Sequence, residues 1–109
     1  MGSYEPKSSA SPAVMIGLET DTPRGWAFEI DVETDAGRRR HEVSMSYADH
    51  DHWSGGSRPP SAVIKDVLLL LASRVPPDKL PERFDAALAR RLVDGFDRLL
   101  RSEADWSGD

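Results

Sequence analysis

Residues 59–75, PPSAVIKDVLLLLASRV, form the longest apolar stretch of the sequence, and their periodicity decides the fold. At about 100° per residue, the large aliphatic side chains gather on one side of a helical wheel. They are Ile64, Val67, Leu68, Leu71 and Val75, and the flanking Val63, Leu70 and Ala72 widen the stripe to roughly 200°. A stripe this wide needs cover on two sides. The stretch therefore predicts a helix at the centre of the fold.

Two stretches before this helix alternate in the way typical of strands with one face in water. Residues 26–33, WAFEIDVE, and residues 39–47, RRHEVSMSY, place apolar and polar side chains in turn. The residues predicted to face the core are Trp26, Phe28, Ile30, Val32, His41, Val43, Met45 and Tyr47. Residues 34–37, TDAG, supply a turn, and Arg38 and Arg40 can then pair with acids of the first strand. The pattern predicts a β-hairpin.

A third strand and a second helix complete the predicted domain. Residues 13–19, AVMIGLE, alternate but are short and contain a glycine, so whether they pair as a strand is left open. Asp85 is the predicted N-cap of a helix over residues 86–102, because inside that helix it would point into the apolar stripe. Ser57 is the predicted N-cap of the central helix. Gly95 is predicted to mark a close helix–helix approach.

These elements predict an α+β fold of two layers. A small antiparallel sheet, either a hairpin or a three-stranded meander, packs on two C-terminal helices. Residues 13–102 are predicted to form a single domain, in keeping with the length of 109 residues. Residues 1–12 are predicted to be a disordered N-terminal segment and residues 103–109 a frayed C-terminal tail.

The composition disfavours several classes of function. The formal charge is −5, so the long-range field repels nucleic acid and anionic membranes. The sequence has no cysteine, which removes disulfides and thiolate metal sites. No apolar run reaches the roughly 18 residues that span a bilayer, and the first residues lack the apolar region of a signal peptide, so the expected location is the cytoplasm. No catalytic or cofactor-binding motif is present, and enzyme activity is not expected.

The features follow one another in a characteristic order. A Gly-Trp-led hairpin, GWAFEIDVE and HEVSMS, precedes a Gly-Gly pair, the helix SAVIKDVLLLLASR, the loop RFD and a final helix. This order resembles that of a group of small, uncharacterised bacterial proteins, over roughly residues 25–102. Members of the group carry a Phe and an acidic end in the central helix, where this chain has LLLLASR. The shared motifs are structural and the group has no established activity, so the resemblance implies the fold and transfers no site residue.

The cluster Asp49-His50-Asp51-His52 is the candidate with the most chemical potential, with His41 close in sequence. Imidazole and carboxylate groups bind zinc or nickel, so His50, His52 and Asp51 are candidate metal ligands. The spacing matches neither HExxH nor HxxxH. The alternative is a solvated turn in which Asp49 or Asp51 caps backbone N–H groups and His41 is a half-buried strand residue. The weak spacing favours this alternative.

Other residues invite a functional interpretation with less support. Residues 38–40 are three arginines that can contact phosphate, but the hairpin acids and the net charge favour a structural pairing. Gly55-Gly56 precedes a helix without the other residues of a phosphate-binding loop. Trp53 is expected to close the end of the core. Leu69 and Trp106 are the remaining candidates for an exposed docking patch.

The sequence predicts an interaction module that binds another protein or itself. A small antiparallel sheet leaves open edges, and open edges accept further strands. The alternative is a metal-binding or metal-dependent protein that uses residues 49–52. Binding of nucleic acid through residues 38–40 and Arg58 is disfavoured by the net charge.

Overall fold

The computed structural model describes the backbone of residues 12–107 and the side chains of residues 12–102. The elements in chain order are β1 (Ala13–Thr22), β2 (Gly25–Thr34), β3 (Gly37–Ser46), α1 (Tyr47–Ser54), α2 (Pro60–Arg74), a 3₁₀ turn (Pro77–Lys79), β4 (Arg83–Asp85), α3 (Leu88–Leu92) and α4 (Phe96–Ser107). The sheet packs against the helices, which confirms the predicted α+β class. The predicted disorder of the N-terminal segment lies outside the described residues, apart from Pro12.

The sheet has four strands in the order β1-β2-β3-β4. The first three form an antiparallel meander, so the third strand left open by the sequence is present. β4 pairs parallel to β3, with Phe84 opposite Val43. We predicted only a connector at the RFD segment, because three residues are too few to show strand alternation.

The hairpin of β2 and β3 forms as predicted. Its turn ends at Gly37, whose φ of 124° disfavours any side chain. The backbone N–H of Ala36 donates to the Thr34 hydroxyl across the turn at 3.2 Å. On the outer face Arg40 Nε lies 2.9 Å from Asp31 Oδ1, and Arg38 pairs with Glu33 at 3.8 Å. The two arginines thus offset acids of the neighbouring strand.

A β-bulge between Ile16 and Glu19 divides β1. Before the bulge, Val14 is buried and Ile16 is half-buried against the core. After it the register shifts, and Leu18 is 61% exposed although the alternation placed it on the same face as Val14. The bulge is the physical reason for this difference, because an extra residue moves the following side chains to the other face.

The core lies between the sheet and α2. The sheet contributes Val14, Phe28, Ile30, Val32, Val43 and Met45, and α2 contributes Val63, Ile64, Val67, Leu68, Leu70 and Leu71. This confirms the central position of the helix, and Leu69 lies half-buried against the same core. The predicted Ser57 cap is wrong. Pro59 is the N-cap and Pro60 begins the helix, where its missing N–H costs nothing.

The segment after β3 forms two helical turns, α1. The Ser46 hydroxyl caps it by accepting the backbone N–H of Asp49 at 3.0 Å. The left-handed Gly55, with a φ of 65°, ends it. Tyr47 was predicted on the core face of β3, and this is wrong: it is the first residue of α1 and is 51% exposed. β3 ends at Ser46, so the alternation of the strand no longer determines where the Tyr47 side chain lies.

The prediction of one continuous helix over residues 86–102 is also wrong, because two helices occupy this segment. α3 ends at Leu92, and α4 begins at Phe96 after Gly95, which has a φ of 69°. A Cβ on Gly95 would meet nothing within 4 Å, so this glycine serves a left-handed turn and not a close helix approach. Asp85 lies in β4 and not at an N-cap, although its Oδ1 accepts the N–H of Ala87 at 2.9 Å.

Within residues 12–107, no helix is both long enough and apolar enough to cross a membrane. The helix α4 continues to Ser107, so its backbone extends into residues we predicted to fray. The side chain of Trp106, a candidate for a docking patch, lies outside the described side chains.

Candidate functional site

The helix α1 separates the two histidines that were predicted to share a metal. Residues two apart on a helix lie about 200° apart around its axis. His50 Nε2 accordingly donates to the backbone oxygen of Arg58 at 2.6 Å, whereas His52 Nε2 donates to Asp97 Oδ2 at 3.1 Å. Asp51 is exposed. Among the described side chains no group of three His, Asp or Glu residues is placed to bind one ion.

His41 lies apart from these residues, buried on the core face of β3 at 2% exposure. Its Nδ1 donates to the backbone oxygen of Pro81 at 2.9 Å, and its ring meets Phe84 edge-on. No side chain or backbone group in residues 12–102 bonds to its Nε2. The hydrogen bond to Pro81 therefore holds the segment before β4 against β3.

Five side chains form a polar junction between α1, α3 and α4: Asp49, His52, Trp53, Arg90 and Asp97. Arg90 lies at its centre, with Nε 2.9 Å from Asp97 Oδ1 and Nη1 3.0 Å from Asp49 Oδ1. The guanidinium also stacks 4.7 Å from the Trp53 ring centroid. Trp53 Nε1 donates to Asp97 Oδ1 at 2.9 Å. The Asp97 carboxylate on α4 thus accepts hydrogen bonds from three side chains, two on α1 and one on α3.

The charges of the polar junction stabilise one another. Burial raises the pKa of Asp97, but the hydrogen bonds from Trp53 and Arg90 and the Arg90 charge outweigh burial and hold this pKa below its usual range. Burial likewise disfavours the charged form of Arg90, yet its bonds to Asp97 and Asp49 raise its pKa above the ordinary value. Each charged group has a fixed partner, which is typical of a structural contact.

The sequence did not predict the polar junction. Trp53 was expected to close the end of the core, and it does lie half-buried, edge-on to Phe96 at 6.1 Å between centroids. Arg90 and Asp97 were placed on the polar side of one continuous helix. The break at Gly95 turns them toward each other, and no sequence signal at Arg90 or Asp97 marks this contact.

A cleft of about 900 Å³ lies beside the first half of β3. Residues 37–41 form one wall, and residues 72–78, from the end of α2 to the 3₁₀ turn, form the other. Its volume falls in the range of ligand sites, about 300–1,000 Å³. We call it the β3 cleft. It includes the three arginines 38–40 that the sequence singled out, whereas Gly55-Gly56 only ends α1.

The opposite edge of the sheet belongs to β1. Met15 and Leu18 on this strand are 42% and 61% exposed. They are two of the four large hydrophobic residues exposed among the described side chains, with Tyr47 and Leu92. This edge is the second place where the molecule offers a surface for binding.

Comparison of this chain with protein-family models, curated proteins and solved structures finds no match. The resemblance to small bacterial proteins accordingly stays a prediction. Metal binding by His50, His52 and Asp51 also stays a prediction, and the placement of these side chains does not favour it.

Proposed function

We propose that the protein acts by binding a second copy of itself, with β1 of one copy pairing with β1 of the other. The observation that carries this proposal is the outer edge of β1. Within residues 12–107 no strand pairs with that edge, and residues 13–18 carry no charged side chain. An unpaired edge is a template for another strand, and natural proteins usually protect it with charges, prolines, bulges or cover. The bulge of β1 comes only after Ile16, so residues 13–16 keep a regular register.

The backbone groups for this pairing belong to Val14 and Ile16. Hydrogen-bonding groups alternate sides along an antiparallel strand. On β3 the groups of Glu42 and Ser44 bond toward β4. The residues between them, such as Val43, therefore bond toward β2, and Val43 lies opposite Phe28. On β2 the residues that alternate with Phe28, such as Asp31, bond toward β1, where Asp31 lies opposite Met15. Val14 and Ile16, on either side of Met15, direct their N–H and C=O groups away from β2. These are the four groups that a new strand would bond.

An antiparallel pairing about a two-fold axis at Met15 satisfies these groups. Val14 of one copy then lies opposite Ile16 of the other, and the contact closes on itself. No like charges face each other, because Glu19 and Asp21 lie beyond the bulge. Pairing would also cover part of the exposed Met15 and Leu18 side chains, which stabilises the contact. The self-complementary segment favours a second copy over an unrelated partner.

The test is the molar mass of the full chain from micromolar to millimolar concentration, measured by analytical ultracentrifugation. We expect the wild-type mass to rise toward that of a dimer. Leu18→Lys places a charge on the edge and should keep the protein monomeric. Leu92→Lys is the matched control, because Leu92 is also exposed but lies on α3, and this variant should dimerise like the wild type.

Three results would contradict self-pairing at β1. A monomeric wild type over the whole range removes the dimer itself. An equal effect of the two lysine variants places the interface elsewhere. If deletion of residues 1–11 alone creates the dimer, those residues and not a second copy cover the edge in the full chain.

The cytoplasmic location, and the absence of nucleic-acid and membrane partners, rest on charge and composition alone. A zinc titration followed by amide NMR tests the metal alternative, with His50→Ala as its control.

A further inference from the structure

The β3 cleft lies at the other edge of the sheet, where β4 covers only part of β3. β4 pairs with residues 42–44 of β3. On either side of β4, the N–H of Glu42 donates to the oxygen of Glu82 at 2.9 Å, and the N–H of Ala86 donates to the oxygen of Ser44 at 2.7 Å. Backbone groups alternate along a strand, so Arg38 and Arg40 direct theirs to this same edge. No strand within residues 12–107 pairs with them.

Two of the four arginines that line the cleft have no acidic partner among the described side chains. The side chains of Arg38 and Arg40 pair with Glu33 and Asp31 across the hairpin. Arg39 and Arg74 also line the cleft, and neither forms an ion pair with any side chain in residues 12–102. Arg39 projects from the face of β3 that carries His41, and Arg74 ends α2.

Acidic residues limit what this charge can bind. Asp35, Asp78 and Glu82 also line the β3 cleft, and the whole chain has a formal charge of −5. A polyanion such as a nucleic acid would meet repulsion from these acids. A single carboxylate carries one charge and would meet less repulsion, and a guanidinium group can bond a carboxylate through two donors.

We propose that the β3 cleft binds an extended segment of a partner protein that carries an acidic side chain. The segment lies beside residues 37–40 as an added strand, in line with β4, and bonds to the free groups of Arg38 and Arg40. Its acidic side chain points toward α2 and pairs with Arg39 and Arg74. This site is separate from the β1 edge, so either proposal can fail without the other.

The test uses the full chain and three mixtures of capped hexapeptides, with Glu, Gln or Lys fixed at one central position and the other positions varied. Binding is followed by amide NMR. We expect the largest shifts at residues 37–41, and about fivefold tighter binding of the Glu mixture than of the Gln mixture. Arg39→Gln should remove the preference for Glu. Arg91→Gln, which changes an exposed arginine of α3, should leave it intact.

Three results would contradict binding of an acidic segment in the β3 cleft. They are the absence of binding at millimolar peptide, equal affinity for the Glu and Lys mixtures, and shifts confined to other residues. An equal loss of preference in Arg39→Gln and Arg91→Gln would also contradict it. If deletion of residues 1–11 shifts the amides of residues 37–41 without peptide, the cleft is occupied by this chain's own first residues and not by a partner.

Discussion

The interface between α2 and the sheet and the polar junction of α1, α3 and α4 attach helices to the same core by different forces. The four central residues of α2, which are Ile64, Val67, Leu68 and Leu71, are fully buried among aliphatic neighbours. The polar junction depends on Arg90 and Asp97, whose side chains remain about one third exposed, at 32% and 33%. Apolar burial needs no particular partner, whereas an ion pair needs defined geometry and the correct protonation state. The first interface should therefore be strong and independent of pH, and the second weaker and sensitive to pH.

The largest expected effect is at the apolar interface. Leu68→Ala removes a side chain with 0% exposure and leaves a cavity, so we expect a loss of about 2–5 kcal/mol in the free energy of unfolding. Leu92→Ala, on the exposed side of α3, should cost less than about 1 kcal/mol. Urea unfolding followed by circular dichroism measures both. Equal losses would mean that α2 is not the centre of the core.

The polar junction should respond less to the loss of its shared carboxylate. Asp97→Ala leaves Arg90, Trp53 and His52 without their common acceptor, and we expect a cost of about 1–3 kcal/mol by the same measurement. Asp94→Ala is the control, because Asp94 is an exposed acid three residues away. If the Asp97 variant unfolds like its control, the junction contributes nothing to stability. If it loses more than Leu68→Ala, the ranking of the two interfaces is reversed.

The break between α3 and α4 determines whether alanine at position 95 lowers or raises the free energy of unfolding. Gly95 has a φ of 69°, so Gly95→Ala should destabilise the fold by roughly 1 kcal/mol. Gly95→Asn should cost less, since Asn tolerates this conformation. A continuous helix, as the sequence predicted, would instead gain about 1 kcal/mol from the alanine. Stabilisation by Gly95→Ala would thus restore the continuous helix and remove the present geometry of the polar junction.

The smallest expected effect is the pH dependence of the polar junction. The folded pKa of Asp97 lies below its ordinary value of 3.8, so its contribution is present above the unfolded pKa and is lost as pH falls through the folded pKa. The difference in unfolding free energy between the wild type and Asp97→Asn should be constant above about pH 5 and shrink below it. The hydrogen bond from Arg40 also lowers the pKa of Asp31. Asp31 is present in both proteins, so its contribution cancels in the difference. A difference that grows on acidification would contradict this assignment.

Periodic burial accounts for what the sequence predicted well. The wide apolar stripe of α2 and the alternation of β2 and β3 report directly which faces lie inside, so the two layers and the hairpin followed. The failures lie where no period exists. β4 has three residues, the bulge in β1 adds one, and Gly95 reverses a single φ angle.

The candidate sites were less predictable than the fold. Arg39 was named, but the β3 cleft is also lined by Arg74, and that both residues line it depends on how α2 ends beside β3. The free edge of β1 follows from strand order, which alternation alone does not determine. His50 and His52 looked like a pair in sequence and point to separate partners on α1.

The parallel pairing of β4 with β3 also constrains the order in which the chain assembles. Ser44 and Asp85 are 41 positions apart, and closing a loop of that size costs on the order of 3 kcal/mol in chain entropy. Fixing the backbone of the three residues of β4 costs about 1–2 kcal/mol more for each residue. Backbone hydrogen bonds to β3, at about 1 kcal/mol each, do not offset both costs. β4 therefore cannot form ahead of the elements between it and β3. The meander can nucleate early from its local contacts, and α2 must dock next. β4, which limits the β3 cleft, is then the last strand to pair and the first to separate.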